Sequence, residues 1–270
     1  MENIKIMIIF VRLIYTTQKM IYTDKTYKHM LFCGDVHDYY DAIPNFIRDR
    51  GLDTCAVFQA GDFGIGFEPI IKEERRLENL NKRMKHTNSD LFAIRGNHDK
   101  PIYFDGTTIL SNVTLLKDYT VVNINGWNIL GVGGATSVDR KQRKGYWYPK
   151  KNDYWADEVF NLDENKLQEL RDIDIVVTHT APNFCNPLTK AGMQHWIDGD
   201  DNLESDITFE RHQLTVMYNI LTENNNITEW YYGHFHNNTK TYYGNTVFQC
   251  LDINNLVASN KIYNYDETDD

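Results

Sequence analysis

Leu91-Phe92-Ala93-Ile94-Arg95-Gly96-Asn97-His98-Asp99 is an apolar run followed by an arginine, a glycine and three polar side chains in consecutive positions. Four apolar residues in a row fit a strand buried on both faces, as in a parallel sheet. The glycine that follows allows a tight turn. Asn, His and Asp at such a turn can coordinate a cation, move a proton and orient the group that moves it. The pattern reads as strand, turn and reactive loop, and the flanking sequence repeats it.

Upstream, residues 28–33 read as a buried strand ending at Gly34-Asp35-Val36-His37. A helix is expected over 39–50, and a strand over 54–59 runs into Gly61-Asp62. Residues 68–86 form a charged amphipathic pattern with Ile70, Ile71, Leu77, Leu80 and Met84 on one side. This strand–helix alternation predicts an α/β sheet with polar loops at the strands' carboxyl ends, where ligands bind in open α/β sheets. Downstream, 113–116, 119–124 and 127–132 read as short strands, with Asn125-Gly126 as a hairpin signal. A helix is expected over 156–170, then a strand over 173–178 ending at His179. A helix over 209–221 and a strand over 229–232 lead to Gly233-His234-Phe235-His236, and two last strands surround Tyr243-Gly244-Asn245. With no internal repeat or low-complexity linker, the economical division is an N-terminal extension (1–27), one domain (28–262) and an acidic tail (263–270).

A chain of 270 residues can bury a sizeable core in a single large domain. Hydrophobic content of 41% and charged content of 24% are ordinary for a soluble globular protein. The net charge of −10 argues against general affinity for nucleic acid or an anionic membrane. The apolar stretch 4–15 is interrupted by Arg12 and is too short to span a bilayer; it reads as an added strand or an upstream extension. Cys33, Cys55, Cys185 and Cys250 are widely separated, which points to a reducing compartment and a cytoplasmic location.

Five blocks therefore stand in order: Gly34-Asp35-Val36-His37, Gly61-Asp62, Gly96-Asn97-His98-Asp99, His179, and Gly233-His234-Phe235-His236. Their carboxylate, imidazole and amide oxygen donors suit a divalent cation such as Mn, Fe, Zn, Ni or Mg. Alternate residues of an extended segment point the same way, so Asp35 with His37, and His234 with His236, can converge on one centre. Seven candidate ligands exceed what one ion needs.

In this order the blocks resemble the signature of the calcineurin-like metallophosphoesterase superfamily: D-x-H, G-D, G-N-H-[DE], an isolated H, and G-H-x-H. The resemblance spans about residues 28–255. It implies an α/β fold, a four-layer α-β-β-α sandwich of two mixed sheets flanked by helices, with metals at the strands' carboxyl ends. It also implies two divalent cations, manganese foremost among them. The first would be held by Asp35, His37, Asp62 and His236, and the second by Asp62, Asn97, His179 and His234, with Asp62 bridging. The activity implied is hydrolysis of a phosphate mono- or diester by a hydroxide activated between metals about 3.5–4 Å apart. His98 would stand beside the leaving group as proton donor, with Asp99 orienting it, supporting the site from outside the metal shell, or serving simply as a loop cap.

The phosphoprotein phosphatases of that superfamily carry G-D-x-x-D-R-G at the second block. This chain has Gly61-Asp62-Phe63-Gly64-Ile65-Gly66-Phe67, without the second acid or the arginine. A small or nucleotide-like substrate is therefore preferred, and a phosphoprotein phosphatase is an alternative. Arg95, Arg140 and Arg143 are candidates to meet the phosphate, because a guanidinium grips it bidentately. Residues 137–155 also interleave Lys141, Lys144, Lys150 and Lys151 with Tyr146, Trp147, Tyr148 and Trp155. Such a stretch can stack on bases, which keeps a nuclease as a further alternative that the net charge disfavours. His195 and Trp196, near Asp198, Asp200 and Asp201, are candidates for a second wall. A catalytically silent scaffold is the alternative outside enzymes, although no ligand and no catalytic histidine is missing. No feature specifies an oligomeric state.

Overall fold

The computed structural model describes residues 20–146, 153–187 and 192–261. Met20–Tyr22 (β1) lies at its start and pairs in parallel with a strand a hundred residues on, so the segment assigned to an extension contributes an edge strand. His29–Cys33 (β2), Ala42–Asp49 (α1), Cys55–Gln59 (β3), Ile70–His86 (α2) and Asp90–Ala93 (β4) follow the expected alternation. Then come Val113–Leu115 (β5), Thr120–Ile124 (β6), Trp127–Val132 (β7), Glu164–Glu169 (α3) and Ile175–Thr178 (β8). Gln194–Gly199 (α4), Leu203–Asn224 (α5), Glu229–Tyr232 (β9), Lys240–Tyr243 (β10), Thr246–Cys250 (β11) and Leu256–Ala258 (β12) complete the set.

Two mixed sheets result, ordered β12-β2-β3-β4-β5 and β1-β6-β7-β8-β9-β11-β10. Strands β2 to β5 are parallel, as are β7, β8, β9 and β11. Side-chain alternation sorts these strands into layers. Met30, Phe32, Ala56, Phe58 and Phe92 meet Ile129, Ile175, Val177 and Tyr231 between the sheets. Phe32 and Tyr231 stack there with ring centroids 3.7 Å apart. The opposite face of the smaller sheet packs under α1 and α2 through Ile43, Ile47, Leu77, Leu80 and Met84. The opposite face of the larger sheet packs under α3 and α5 through Leu167, Leu214, Met217 and Leu221. Helix, sheet, sheet, helix: the four-layer α/β sandwich.

Two local expectations change. Ile70 and Ile71 are 62% and 66% exposed, and the buried face of α2 instead begins at Glu73. The Glu73 carboxylate accepts from the amides of Gly66 and Glu68, so it closes the loop in front of its own helix. The helix expected over 156–170 is confined to 164–169. The carbonyls of Asp157, Glu158 and Val159 accept from the Arg95 guanidinium, which holds that stretch out of a helical ladder. Trp147, Tyr148, Lys150 and Lys151, residues 4–15 and the acidic tail fall outside the described residues.

Candidate metal centre

The polar loops at the carboxyl ends of β2, β3, β4, β8 and β9 converge between the two sheets. Asp35, His37 and His236 form one group whose donor atoms all lie within 4.8 Å of one another, and Asp62, His179 and His234 form a second. In the first, His236 Nε2 is 3.0 Å from Asp35 Oδ2 and 3.0 Å from His37 Nε2. In the second, His179 Nε2 lies 3.1 Å from Asp62 Oδ1 and 3.0 Å from Asn97 Oδ1. Asp62 also faces the first group, with Oδ2 3.9 Å from His37 Nε2. Nitrogens and carboxylate oxygens gathered this closely fit a divalent cation in each group, because each donor set mixes imidazole with carboxylate at ligand spacing.

Backbone geometry achieves this convergence at a cost. His37, Asp62, His234 and His236 all have positive φ, at 41°, 54°, 67° and 49°. Each such residue stores on the order of 1–2 kcal/mol of strain. The left-handed turns, and not strand alternation, set how His234 and His236 are placed. Alternation requires an extended segment, whereas here His234 joins Asp62 and His236 joins Asp35. Gly96 serves by close approach: a Cβ there would strike the amide and carboxylate of Asp62, and one at Gly233 would strike the Asp35 carboxylate.

Charge follows from this packing. Burial opposes ionisation of Asp62, yet the imidazoles of His179 and His98 hold its carboxyl well below the usual range. Burial also pulls His179 down, but Asp62 outweighs it and its imidazole rises to about 10. Burial and the neighbouring His179 push His234 down to about 3. His236 is raised by its bond to Asp35. His98 stands at the rim, its side chain 28% exposed and its Nε2 4.0 Å from Asp139 Oδ2. Its amide donates to Asp62 Oδ1 at 2.7 Å, which ties its position to that carboxylate.

Of the roles open to Asp99, the geometry is that of a loop cap and not of a catalytic residue. Its buried carboxylate accepts from the amides of Phe63, Gly64, Ile65 and Gly96, at 3.0, 2.7, 3.2 and 2.6 Å. It clamps two loops and does not orient the His98 ring. Burial and the charge of Asp62 raise its carboxyl to about 6. The three arginines expected to meet phosphate are likewise engaged. Arg95 is 7% exposed and binds Asp118 and three backbone carbonyls. Arg140 pairs with Asp200 and Asp206 at 2.7 and 2.6 Å. Arg143 binds Glu158, Ser137 and the Asn97 carbonyl. An acid beside each guanidinium turns it inward: Asp118 is half-buried, and Asp200 and Glu158 are buried.

Several supporting residues carried no signal in the sequence. Ser137 accepts from Asn97 Nδ2 at 2.9 Å, which turns the Asn97 amide oxygen toward His179. Gln59 donates to the carbonyls of Gly34 and Gly61 and accepts from the Gly61 amide, so it ties the first two loops together. Asp139 reaches His98 from 41 residues away in the chain. A Ser, a Gln or an Asp has no spacing that marks it in advance.

A mixed-sheet sandwich with two adjoining carboxylate–imidazole groups at its parallel strand ends is the architecture of a metal-dependent hydrolase. The chain belongs to the calcineurin-like phosphoesterase family, whose model matches residues 28–238, and it is a phosphoester hydrolase. No curated protein sequence matches it. Among solved structures, it is similar to GAP50, "the anchor in the inner membrane complex of Plasmodium". Identity there is 14%, with 83% of this chain and 71% of the other covered, at a TM-score of 0.40. It is similar at the same identity and TM-score to the phosphopantetheinyl hydrolase (PptH) from Mycobacterium tuberculosis, covering 84% of this chain and 90% of that one. Among the described residues, no helix is long and apolar enough to cross a membrane. All four cysteines are free and buried.

Proposed function

We propose that this chain hydrolyses a phosphate mono- or diester of a small organic alcohol with two divalent cations, manganese foremost, at the two donor groups. Asp35, His37, Asp62 and His236 would hold one cation, and Asp62, Asn97, His179 and His234 the other. The observation that carries the reading is Asp62, whose two oxygens face His179 in one group and His37 in the other. Bound cations there would supply an activated water and neutralise the phosphoryl oxygens. The chain's own residues do the rest. Ser137 orients the Asn97 amide, Asp99 and Gln59 fix the loops, and His98 donates a proton at Nε2 to the departing oxygen. Positioned proton transfer of this kind contributes about 10²–10⁴-fold. A small substrate is preferred over a phosphoprotein because Arg95, Arg140 and Arg143 are all paired within the fold. The same inward pairing of Arg140 and Arg143 gives a nuclease reading no support.

Metal analysis together with hydrolysis of nitrophenyl phosphate esters tests this directly. The expected result is two equivalents of metal and turnover. Asp62→Asn should lose at least about 10³-fold in kcat. His98→Ala should lose about 10²–10⁴-fold while retaining its metal. Full activity in either variant would overturn the mechanism, and a metal-free, inactive protein would favour a scaffold.

A further inference from the structure

His234 and His236 have a second neighbourhood. They also line a pocket of about 360 Å³, together with Glu210, Asp252 and a wall of apolar residues. That wall is Val138, Met193, Trp196, Ile207, Phe235 and Ile253. It is assembled from the loop after β7, from α4 and its approach, from α5, and from the segments after β9 and β11. The pocket opens on both donor groups, since His236 belongs to one and His234 to the other. A phosphoryl group held at the donor groups would therefore project a substituent into this space.

The lining also sets what that substituent can be. Among the described residues of the lining there are two acids and no lysine or arginine. Six apolar side chains give a further phosphate or carboxylate little to offset the water it would lose. Glu210 is 4% exposed and accepts from Thr136 Oγ1 at 2.8 Å, so its polar need is met from inside the fold. The Trp196 indole, backed by the His195 ring at 4.2 Å, presents a broad apolar surface. A volume near 360 Å³ lies at the small end of the range for organic ligands, about 300–1,000 Å³. It suits one or two fused rings.

We infer that this pocket receives the organic substituent of the substrate phosphoester, and that the substituent is uncharged, ring-bearing and largely apolar. The inference rests on the phosphoester reading of the donor groups, and it deepens that reading by naming the substrate class. Among the described lining residues, apolar side chains outnumber acids six to two, which disfavours a polyphosphate or a cationic alcohol as the substituent.

The experiment has a kinetic arm and a binding arm. In the manganese-loaded protein, kcat/KM is measured for 2-naphthyl phosphate, phenyl phosphate and phosphocholine, in the wild type and in Trp196→Ala. The wild type should favour the naphthyl ester. The naphthyl-to-phenyl ratio should fall about tenfold in the variant, carried by KM. Because intrinsic leaving-group reactivity is the same for both proteins, it cancels in this comparison. Ile102→Ala, at a 65% exposed residue outside the pocket, should leave the ratio unchanged. In the second arm, chelator-treated protein is titrated calorimetrically with 2-naphthol, which carries the ring without the phosphate. Saturable one-site binding, weakened about tenfold by Trp196→Ala, is expected whether or not the protein turns over. If no ester is hydrolysed, the phosphoester reading fails and the binding arm alone decides the pocket. Unchanged ratios, unchanged naphthol binding or a preference for phosphocholine would each overturn the inference.

Discussion

The two sheets bring loops of opposite construction to one site. After β2, β3 and β4 the loops are short and held through their own backbone: Asp99 gathers four amides, and Gln59 ties Gly34 to Gly61. The loop after β7 and the segment from α4 into α5 are held by side-chain pairs. Arg143 binds Glu158, and Arg140 binds Asp200 and Asp206. Backbone ties fix an atom's position closely because they have few degrees of freedom. Side-chain pairs hold a surface while allowing its residues to differ. Reactive groups belong on the first kind of loop and substrate discrimination on the second.

The sharpest way to break this contrast is Asp99→Ala. Removing that carboxylate leaves four buried amides without their partner, and each such loss costs about 1–3 kcal/mol. A fall in unfolding free energy of at least about 4 kcal/mol is expected in urea titration. A loss below about 1 kcal/mol would mean that the backbone ties do not hold these loops.

Glu210 probes the other region at a somewhat smaller magnitude. Burial raises its carboxyl from the ordinary 4.5 to about 7 in the folded state. The folded state therefore holds its proton more tightly than the unfolded one, and the stability this lends is complete below pH 4.5 and lost as pH rises through about 7. In chelator-treated protein that loss should reach about 3 kcal/mol across this window. Thermal melts of Glu210→Gln should show a correspondingly flatter dependence on pH. Equal slopes for the two proteins would show that Glu210 titrates normally.

Asp139→Asn has the smallest expected effect and tests the place where the two regions meet. Asp139 extends from the second kind of loop to within 4.0 Å of His98 on the first. A decrease of about tenfold in kcat with KM unchanged is expected, in keeping with the loss of a group that orients a catalytic one. In a His98→Ala background the same change should add nothing, since the two act as a unit.

The resemblance of the five blocks to a known family carried much of the fold, and the reason is local. In each block a ligand follows its strand within a few residues, so an apolar run and the polar residues after it can be read together. The burial of β2, β3 and β4 on both faces was legible for the same reason. The pairing of the arginines was not legible, because a cation's partner is not encoded near it. Arg95 meets Asp118, 23 positions away, and Val159, 64 positions away. Trp196 was visible as a candidate wall, but its place beside His234 and His236 depends on how α4 and α5 pack against the segment after β9.

By itself, then, the sequence determined the strand-and-loop grammar, the donor residues and the absence of a D-R-G pair after Asp62. These are properties of residues adjacent in the chain, governed by short-range geometry. Tertiary structure supplied the left-handed turns that set His234 and His236 in different groups, a division the family resemblance implied and strand alternation did not. It alone turned three arginines inward, made Asp99 a clamp and set an apolar pocket beside the donors. Each of those outcomes depends on buried charges and apolar faces finding partners across the fold, and the partners are chosen when the two sheets close on one another.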